Sequence, residues 1–214
     1  PPELRLQLDR DEMIIDNFAG GGGASSGLEM AFGRSPDIAV NHDPEAIAMH
    51  AANHPRTHHI TGDVFDVSPR QVTQGRRVAL AWFSPDCTYH SKARGSKPFR
   101  DPNKARKRRG LAGVVIKWAA QVKPMVIALE NVEEWADWCP LVDGQPDKTR
   151  LGLSFRIWVG KLKAQGYAVE WRELRACDYG APTTRNRLFV IARCDGEPIV
   201  WPEPSHGPLR AHPY

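Results

Sequence analysis

Short, continuously apolar runs alternate along the chain with longer stretches whose apolar positions recur at helical spacing. Met13 to Phe18 reads as a first strand, closed by Gly20-Gly21-Gly22-Gly23, and Ser25 to Phe32 as a helix whose buried stripe is Leu28, Met30 and Ala31. Ile38 to Asn41 is a second strand, and Pro44 is placed to open a helix running to about Asn53. His59 to Thr61 forms a third strand ending at Gly62-Asp63, and Val78 to Phe83 a fourth ending at Ser84-Pro85-Asp86-Cys87. From Arg108 to Val122, Leu111, Val114, Val115, Trp118, Ala119 and Val122 recur at helical spacing, and Met125 to Leu129 is a fifth strand that runs into Glu130-Asn131-Val132. After a polar excursion through 143–150 the pattern predicts a helix over Leu153 to Gln165. An alternating strand over Tyr167 to Leu174 and a last apolar strand over Arg187 to Cys194 follow.

Strands alternating with helices imply an α/β fold, a mostly parallel sheet with helices on both faces. Each polar motif follows a strand, at the edge where open α/β sheets bind their ligands. The expected organisation is a polar arm over 1–12, a catalytic and cofactor-binding domain over 13–202, and the start of a linker over 203–214. A length of 214 residues supports one substantial core and not comfortably two.

Charge changes this picture at one place. The net charge of +4 is mild, but Lys92, Arg94, Lys97, Arg100, Lys104, Arg106, Lys107, Arg108 and Arg109 lie close together with only Asp101 against them. Gly95, Pro98 and Pro102 make 92–109 a long loop, and its basic character suits either a phosphate backbone or a solvated surface. Cys87, Cys139, Cys177 and Cys194 have neither paired nor ligand-like spacing, so no metal or disulfide framework is expected. No apolar run approaches the roughly 18 to 20 residues that span a bilayer, which points to a cytoplasmic protein.

The turn Phe18-Ala19-Gly20-Gly21-Gly22-Gly23 joins a strand to a helix, so backbone can pass close to a bound molecule with helix N–H groups facing it. Asp16 is near enough to take a charged amine or a hydroxyl. Asn41 to Asp43 ends the second strand, where a side chain can reach a ribose, and Asp63 ends the third, where a carboxylate can accept from an adenine amino group. Taken singly, each of these is equally a cap or turn residue. Their ordered series points to an adenosine-containing cofactor.

Cys87 stands after an apolar strand and a proline turn, with His90, Ser91, Lys92 and Arg94 following. Positive charge favours the attacking thiolate, while Asp86 opposes it. Glu130 follows the purely apolar Val126-Ile127-Ala128-Leu129 and is either a helix-capping glutamate or an acid at the depth of a reaction centre. Arg185 and Arg187 can bring guanidinium groups to the same crevice.

At Phe18 to Gly23, Pro85 to Cys87, Glu130 to Val132 and Arg185 to Arg187 the chain closely resembles the cytosine-C5 DNA methyltransferases, in the family's order and over nearly everything from Met13 to Pro202. The resemblance implies a Rossmann-like fold that binds S-adenosyl-L-methionine and releases S-adenosyl-L-homocysteine. It makes Asp16, Phe18, Ala19, Gly20, Gly22, Gly23, Asn41, His42, Asp63, Val64, Ser84 and Pro85 the cofactor set. Phe18 is implied to pack on the adenine, with Asp63 reading its amino group. Cys87 would add to C6 of a flipped-out cytosine while Glu130 engages N3 and the exocyclic amine. Arg185 would hold the base carbonyl and Arg187 support the site. Ser91, Lys92, Arg94, Lys97 and Arg100 would meet double-stranded DNA. The partner expected is DNA alone, with the protein monomeric and free of metal and membrane.

Several positions depart from the family pattern. Asp86 replaces the proline that usually precedes the cysteine, Asn41 a ribose-binding glutamate, His42 an apolar neighbour of the adenine, and Thr183 a glutamine. The cysteine turn and the basic loop resemble the bacteriophage and prophage branch. The target-recognition domain and final motifs of the family are expected to lie outside this chain. The readings that compete with a DNA methyltransferase are a non-catalytic DNA- or cofactor-binding remnant, a relative acting on transfer RNA, and transfer of a modified methyl group.

Overall fold

The computed structural model describes residues 11–86, 110–142 and 145–207. Within them the chain forms two compact units, one built from 11–86 with 110–129 and one from 130 onward.

In the first unit, β1 (Met13–Asn17), β2 (Ile38–Asn41), β3 (His58–Thr61), β4 (Val78–Phe83) and the start of β5 (Val126–Asn131) lie in the order β3-β2-β1-β4-β5. All four of these pairings are parallel. β1 sits in the middle and is buried along its whole length, the polar Asp16 and Asn17 included. Helices α1 (Gly23–Phe32), α2 (Pro44–Asn53), α3 (Pro69–Thr73) and α4 (Ala112–Val122) cover the sheet. The faces can be assigned from register. Asp16 pairs with Ala39 and Trp82, and its side chain meets Ser25 of α1. Asn17 and Phe83 pair one residue later, so they point the other way, and Phe83 meets Trp118 of α4 edge to face at 6.3 Å. Helices therefore lie on both faces, as the alternating pattern implies.

Element boundaries follow local chemistry. Asp43 caps α2, accepting from the N–H groups of Glu45 and Ala46, with Pro44 in the first turn. α4 buries Ala112, Val114, Val115, Trp118 and Ala119. The stripe expected on α1 needs correction, because Leu28 is buried but Met30 is 89% exposed and Ala31 is also on the surface. Met30 lies about 200° around the helix from Leu28. Ser25 shares the buried face instead. α3 was not anticipated from the pattern, being only five residues long.

The second unit holds α5 (Leu153–Lys163) and the antiparallel pair β8 (Ala168–Arg175) and β9 (Asn186–Arg193), preceded by a two-residue hairpin, β6 (Leu141–Val142) and β7 (Gln145–Pro146). α5 buries Phe155, Trp158, Val159 and Leu162, a spacing of three, one and three that keeps them on one stripe. Trp158 and Phe155 pack on Trp135 with ring centroids 5.0 and 5.5 Å apart, and Phe155 meets Trp171 at 5.2 Å. β9 alternates burial cleanly through Leu188, Val190 and Ala192.

Candidate functional site

The first group of residues surrounds the end of β1. The chain leaves the strand at Phe18 with φ 64°, a left-handed conformation that few side chains adopt, and turns through Ala19, whose N–H bonds Val40 O at 3.0 Å. Gly22 N–H then bonds Ala19 O, and Gly22, at φ 101°, caps α1. A side chain at Gly20 would meet no atom within 4 Å, so open space lies beside the turn there. At Gly22 a Cβ would lie 3.0 Å from the His54 ring and 3.4 Å from the His50 ring. Two imidazoles thus fill the underside of the turn, while Gly23 opens the helix without crowding.

Asp16 lies beneath this turn, fully buried. Its Oδ2 accepts from Ser25 Oγ at 2.7 Å, and its Oδ1 is buried without a hydrogen-bond partner. Burial pushes this carboxyl up to about 7, against the lowering effect of Ser25 and His54. Ser25 Oγ also meets His50 Nε2 at 2.9 Å, and His50 Nδ1 meets His59 Nε2 at 2.9 Å. Burial, with the neighbouring imidazoles of His54 and His59, holds His50 down at about 4. His54 Nδ1 pairs with Glu29 at 3.0 Å. None of Ser25, His50, His54 and His59 was singled out from sequence. The available signal was His50 and His54 four apart, in the last turn and at the C-terminal cap of a helix that faces the glycine turn.

The other strand ends carry the remaining cofactor residues expected from sequence. Asn41 Oδ1 accepts from Asp43 N–H at 2.9 Å, forming a turn, and its backbone carbonyl accepts from Gly62 N–H at 2.9 Å. His42 is exposed. Asp63 Oδ1 accepts from Phe65 N–H at 3.1 Å, and Val64 is buried. Ser84 N–H bonds Asn17 O at 3.3 Å and its hydroxyl accepts from Trp82 Nε1 at 2.8 Å, with Pro85 buried next to it. Phe18, Asn41, Asp63 and Ser84 thus all stand at C-terminal ends of parallel strands of the first unit.

The second group belongs to the second unit. Glu130 lies in the last part of β5, and its Oε1 is 3.0 Å from Arg187 Nε, with both side chains about a quarter exposed. Arg187 also donates from Nη1 to Asn186 O at 2.7 Å. Asn131 Oδ1 accepts from Val132 N–H, which fixes the turn after the strand. Arg185 has an exposed side chain, and its N–H bonds Thr183 Oγ1 at 3.3 Å. Of the two arginines it is Arg187 that pairs with Glu130. Between them, Asn186 donates from Nδ2 to Glu133 at 2.9 Å and Glu173 at 3.1 Å, a tie that was not foreseen. Cys87 and the expected DNA-contact positions Ser91, Lys92, Arg94, Lys97 and Arg100 lie outside the described residues.

Among the described residues no cluster of three or more His, Cys, Asp or Glu could hold a metal ion, and no helix is long and apolar enough to cross a membrane. Cys139, Cys177 and Cys194 form no disulfide.

A parallel sheet with helices on both faces, whose central strand runs through a glycine turn into a helix, defines a Rossmann-like methyltransferase fold. A solved structure described as a DNA modification methyltransferase encoded within a prophage of E. coli has the same fold, with a TM-score of 0.64 and 24% identity. The match covers 85% of this chain and 46% of that one. The chain belongs to the C-5 cytosine-specific DNA methylase family, whose model matches residues 13–206. Among its curated relatives, the type II methyltransferase M.AquIA of Picosynechococcus is 27% identical over 92% of this chain and 78% of its own length. M.SacI of Streptomyces achromogenes is 28% identical over 93% of this chain and 52% of its own. For M.AgeI of Thalassovita gelatinovora the identity is 27%, over 90% of this chain and 42% of the relative. The chain thus spans about half the length of several relatives that it matches.

Proposed function

We propose that this chain carries the catalytic and cofactor-binding part of an S-adenosyl-L-methionine-dependent DNA cytosine-C5 methyltransferase acting on double-stranded DNA. The observation that carries this reading is Glu130, an acid at the end of a buried apolar strand, paired at 3.0 Å with Arg187 in the Glu-Asn-Val setting of the family.

The cofactor end supports it. Gly20 borders open space, Phe18 is held in a left-handed turn, and Asp16 has one buried oxygen without a partner, which together fit a cationic adenosine-type ligand at the glycine turn. Phe18, Ala19, Gly20, Gly22 and Gly23 would hold it, with Asn41, His42, Asp63, Val64, Ser84 and Pro85 at the neighbouring strand ends. When bound, the cofactor supplies an electrophilic sulfonium methyl group, and S-adenosyl-L-homocysteine is left.

The chain's own residues supply the rest. Cytosine C5 is a weak nucleophile, so the Cys87 thiolate adds to C6, its electron pair becoming the C6–S bond while the C5=C6 pair is pushed into the ring. Glu130 engages N3 and the exocyclic amine, which stabilises the charge that develops there. Arg187 keeps the Glu130 carboxylate oriented. Arg185, exposed and without a carboxylate contact among those described, is the guanidinium available to the base carbonyl. After C5 takes the methyl group, a base removes the C5 proton, the C5=C6 bond re-forms and the C6–S bond breaks, returning the thiolate. The base must leave the stack for its ring faces to be reached, and Ser91, Lys92, Arg94, Lys97 and Arg100 would meet the DNA backbone.

The test is intact mass spectrometry of the chain with cofactor and duplexes carrying 5-fluorocytosine in mixed contexts, beside Cys87→Ser and a 5-fluorocytosine transfer RNA. Fluorine in place of the C5 proton prevents release, so a DNA adduct that includes one methyl group and is lost in Cys87→Ser is the expected result. Cofactor binding with no adduct on DNA, or an adduct on RNA alone, refutes the assignment.

A further inference from the structure

The described network under the glycine turn is an unbroken line of hydrogen bonds, Asp16 Oδ2 to Ser25 Oγ at 2.7 Å, Ser25 Oγ to His50 Nε2 at 2.9 Å, and His50 Nδ1 to His59 Nε2 at 2.9 Å. Asp16, Ser25 and His50 have no exposed surface, whereas His59 on β3 is partly exposed. A hydroxyl and an imidazole each donate once and accept once, so the line has two complete settings. With Asp16 ionised, His59 donates to His50, His50 to Ser25, and Ser25 to the carboxylate. With Asp16 protonated, every donor and acceptor reverses. Both settings pair each donor with an acceptor along the line itself, and the partly exposed end at His59 gives the buried acid a route to exchange its proton.

The line touches the turn directly. The His50 and His54 rings pack against Gly22, and Ser25 is on the first turn of the helix that Gly22 caps. The other titratable groups around it are Glu29 on α1, His54 at the C-terminal cap of α2, His58 on β3 and, between α2 and β3, Arg56. The strand neighbours of Asp16 in register, Ala39 and Trp82, carry no charge. Asp16 is therefore the negative group of the line, and its Oδ1 is buried with no partner.

We propose that Asp16, Ser25 and His50 form a proton-linked positioning device beneath the glycine turn, which makes the preference of this site for S-adenosyl-L-methionine over S-adenosyl-L-homocysteine depend on pH. The inference rests on the cofactor reading above. The two ligands share adenosine, amine and carboxylate and differ by one methyl group and one positive charge on sulfur. An ionised Asp16 stabilises the cationic substrate and not the product, while a protonated Asp16 discriminates little between them. A carboxyl that titrates near neutrality, as burial makes this one do, puts the change within a usable range. The α-amino group is present in both ligands, and its own titration, which the sulfonium charge shifts, is removed by measuring it in each free ligand.

The experiment measures Kd for both ligands by calorimetry on the full chain between pH 6 and 9, with Asp16→Asn and Ser25→Ala, each checked for folding by circular dichroism. The ratio of product Kd to substrate Kd is expected to rise about fivefold or more across neutrality in the native chain, a modest coupling between a proton site and a ligand site. It is expected to stay flat in Asp16→Asn. In Ser25→Ala the rise should move to higher pH, because the bond that favours the carboxylate is gone. Should a variant fail to fold, the native chain still decides the matter in two buffers of different ionisation heat near pH 7. Proton release on binding S-adenosyl-L-methionine and not on binding S-adenosyl-L-homocysteine is the expected result. Binding of both ligands with a constant ratio and no proton release overturns the inference. Binding of neither at any pH overturns instead the cofactor reading on which it rests.

Discussion

Replacing Gly22 by alanine tests how the glycine turn is built. At φ 101° an L-residue is strained by about 1–2 kcal/mol, the ordinary penalty of left-handed backbone. The new methyl group would lie 3.0 Å from the His54 ring and 3.4 Å from the His50 ring. Both rings are buried and hydrogen-bonded, so they have little room to move, and overpacking of this kind adds about 1–3 kcal/mol. The sum is a loss of about 2–5 kcal/mol. Gly23→Ala, one residue later, is the control, since its Cβ meets nothing within 4 Å and its φ is ordinary for an L-residue. There the expected change runs from zero to about 1 kcal/mol of stabilisation, because alanine favours a helix and lowers the entropy of the unfolded chain. Urea unfolding followed by tryptophan fluorescence reads both. With a slope near the upper end of about 1–3 kcal/mol/M, Gly22→Ala should lower the midpoint by roughly 1–2 M. Equal losses in the two variants, or no loss at Gly22, would refute the assignment of the imidazoles to the underside of the turn.

Asp16 also makes stability depend on pH. Its folded pKa of about 7 lies above the unfolded value of 3.8, so its contribution is fully present below about pH 4 and is lost as pH rises through 7. Three pH units correspond to about 4 kcal/mol as an upper figure, so unfolding free energies of the native chain and Asp16→Asn at pH 5 and 8.5 should diverge by a large part of that. Parallel pH profiles would contradict it. His50 acts in the opposite sense. With its pKa held at about 4 against 6.5 unfolded, stability is lost as pH falls from about 6.5 towards 4, and His50→Gln should flatten that limb in the same titration. Glu130→Gln should slow adduct formation with 5-fluorocytosine DNA by about 10²-fold or more, while moving stability by under about 1 kcal/mol, as befits a partly exposed pair. In the second unit, Trp158→Ala should cost about 3–5 kcal/mol in a denaturant melt, because the ring is 4% exposed and packed on Trp135 and Phe155.

Much of the fold was legible because strand and helix periods differ. β2, α2 and β4 fall where the apolar pattern and the proline put them, and Val78 to Phe83 is buried as its unbroken apolar run implies. The stripe on α1 was misread because Met30 and Ala31 are apolar in composition but point away from the sheet. The site was half legible. A glycine turn after a buried strand and an acid at the end of another are local patterns, visible in the chain. Which arginine pairs with Glu130 was not, because Arg185 precedes the start of β9 at Asn186 while Arg187 lies within the strand.

By itself, the order of residues determined the strand–helix alternation, the placing of the glycine turn, Asn41 and Glu130 at strand ends, and the family to which the chain belongs. It could do so because period and turn chemistry are properties of neighbours along the chain. Only the tertiary structure decided that Asp16 is buried and not displayed, and that Ser25, His50 and His59, drawn from one strand and two helices, line up behind it. Those contacts join residues 9 to 25 positions apart. A buried acid acquires its pKa from what folding brings around it, and no local pattern encodes that.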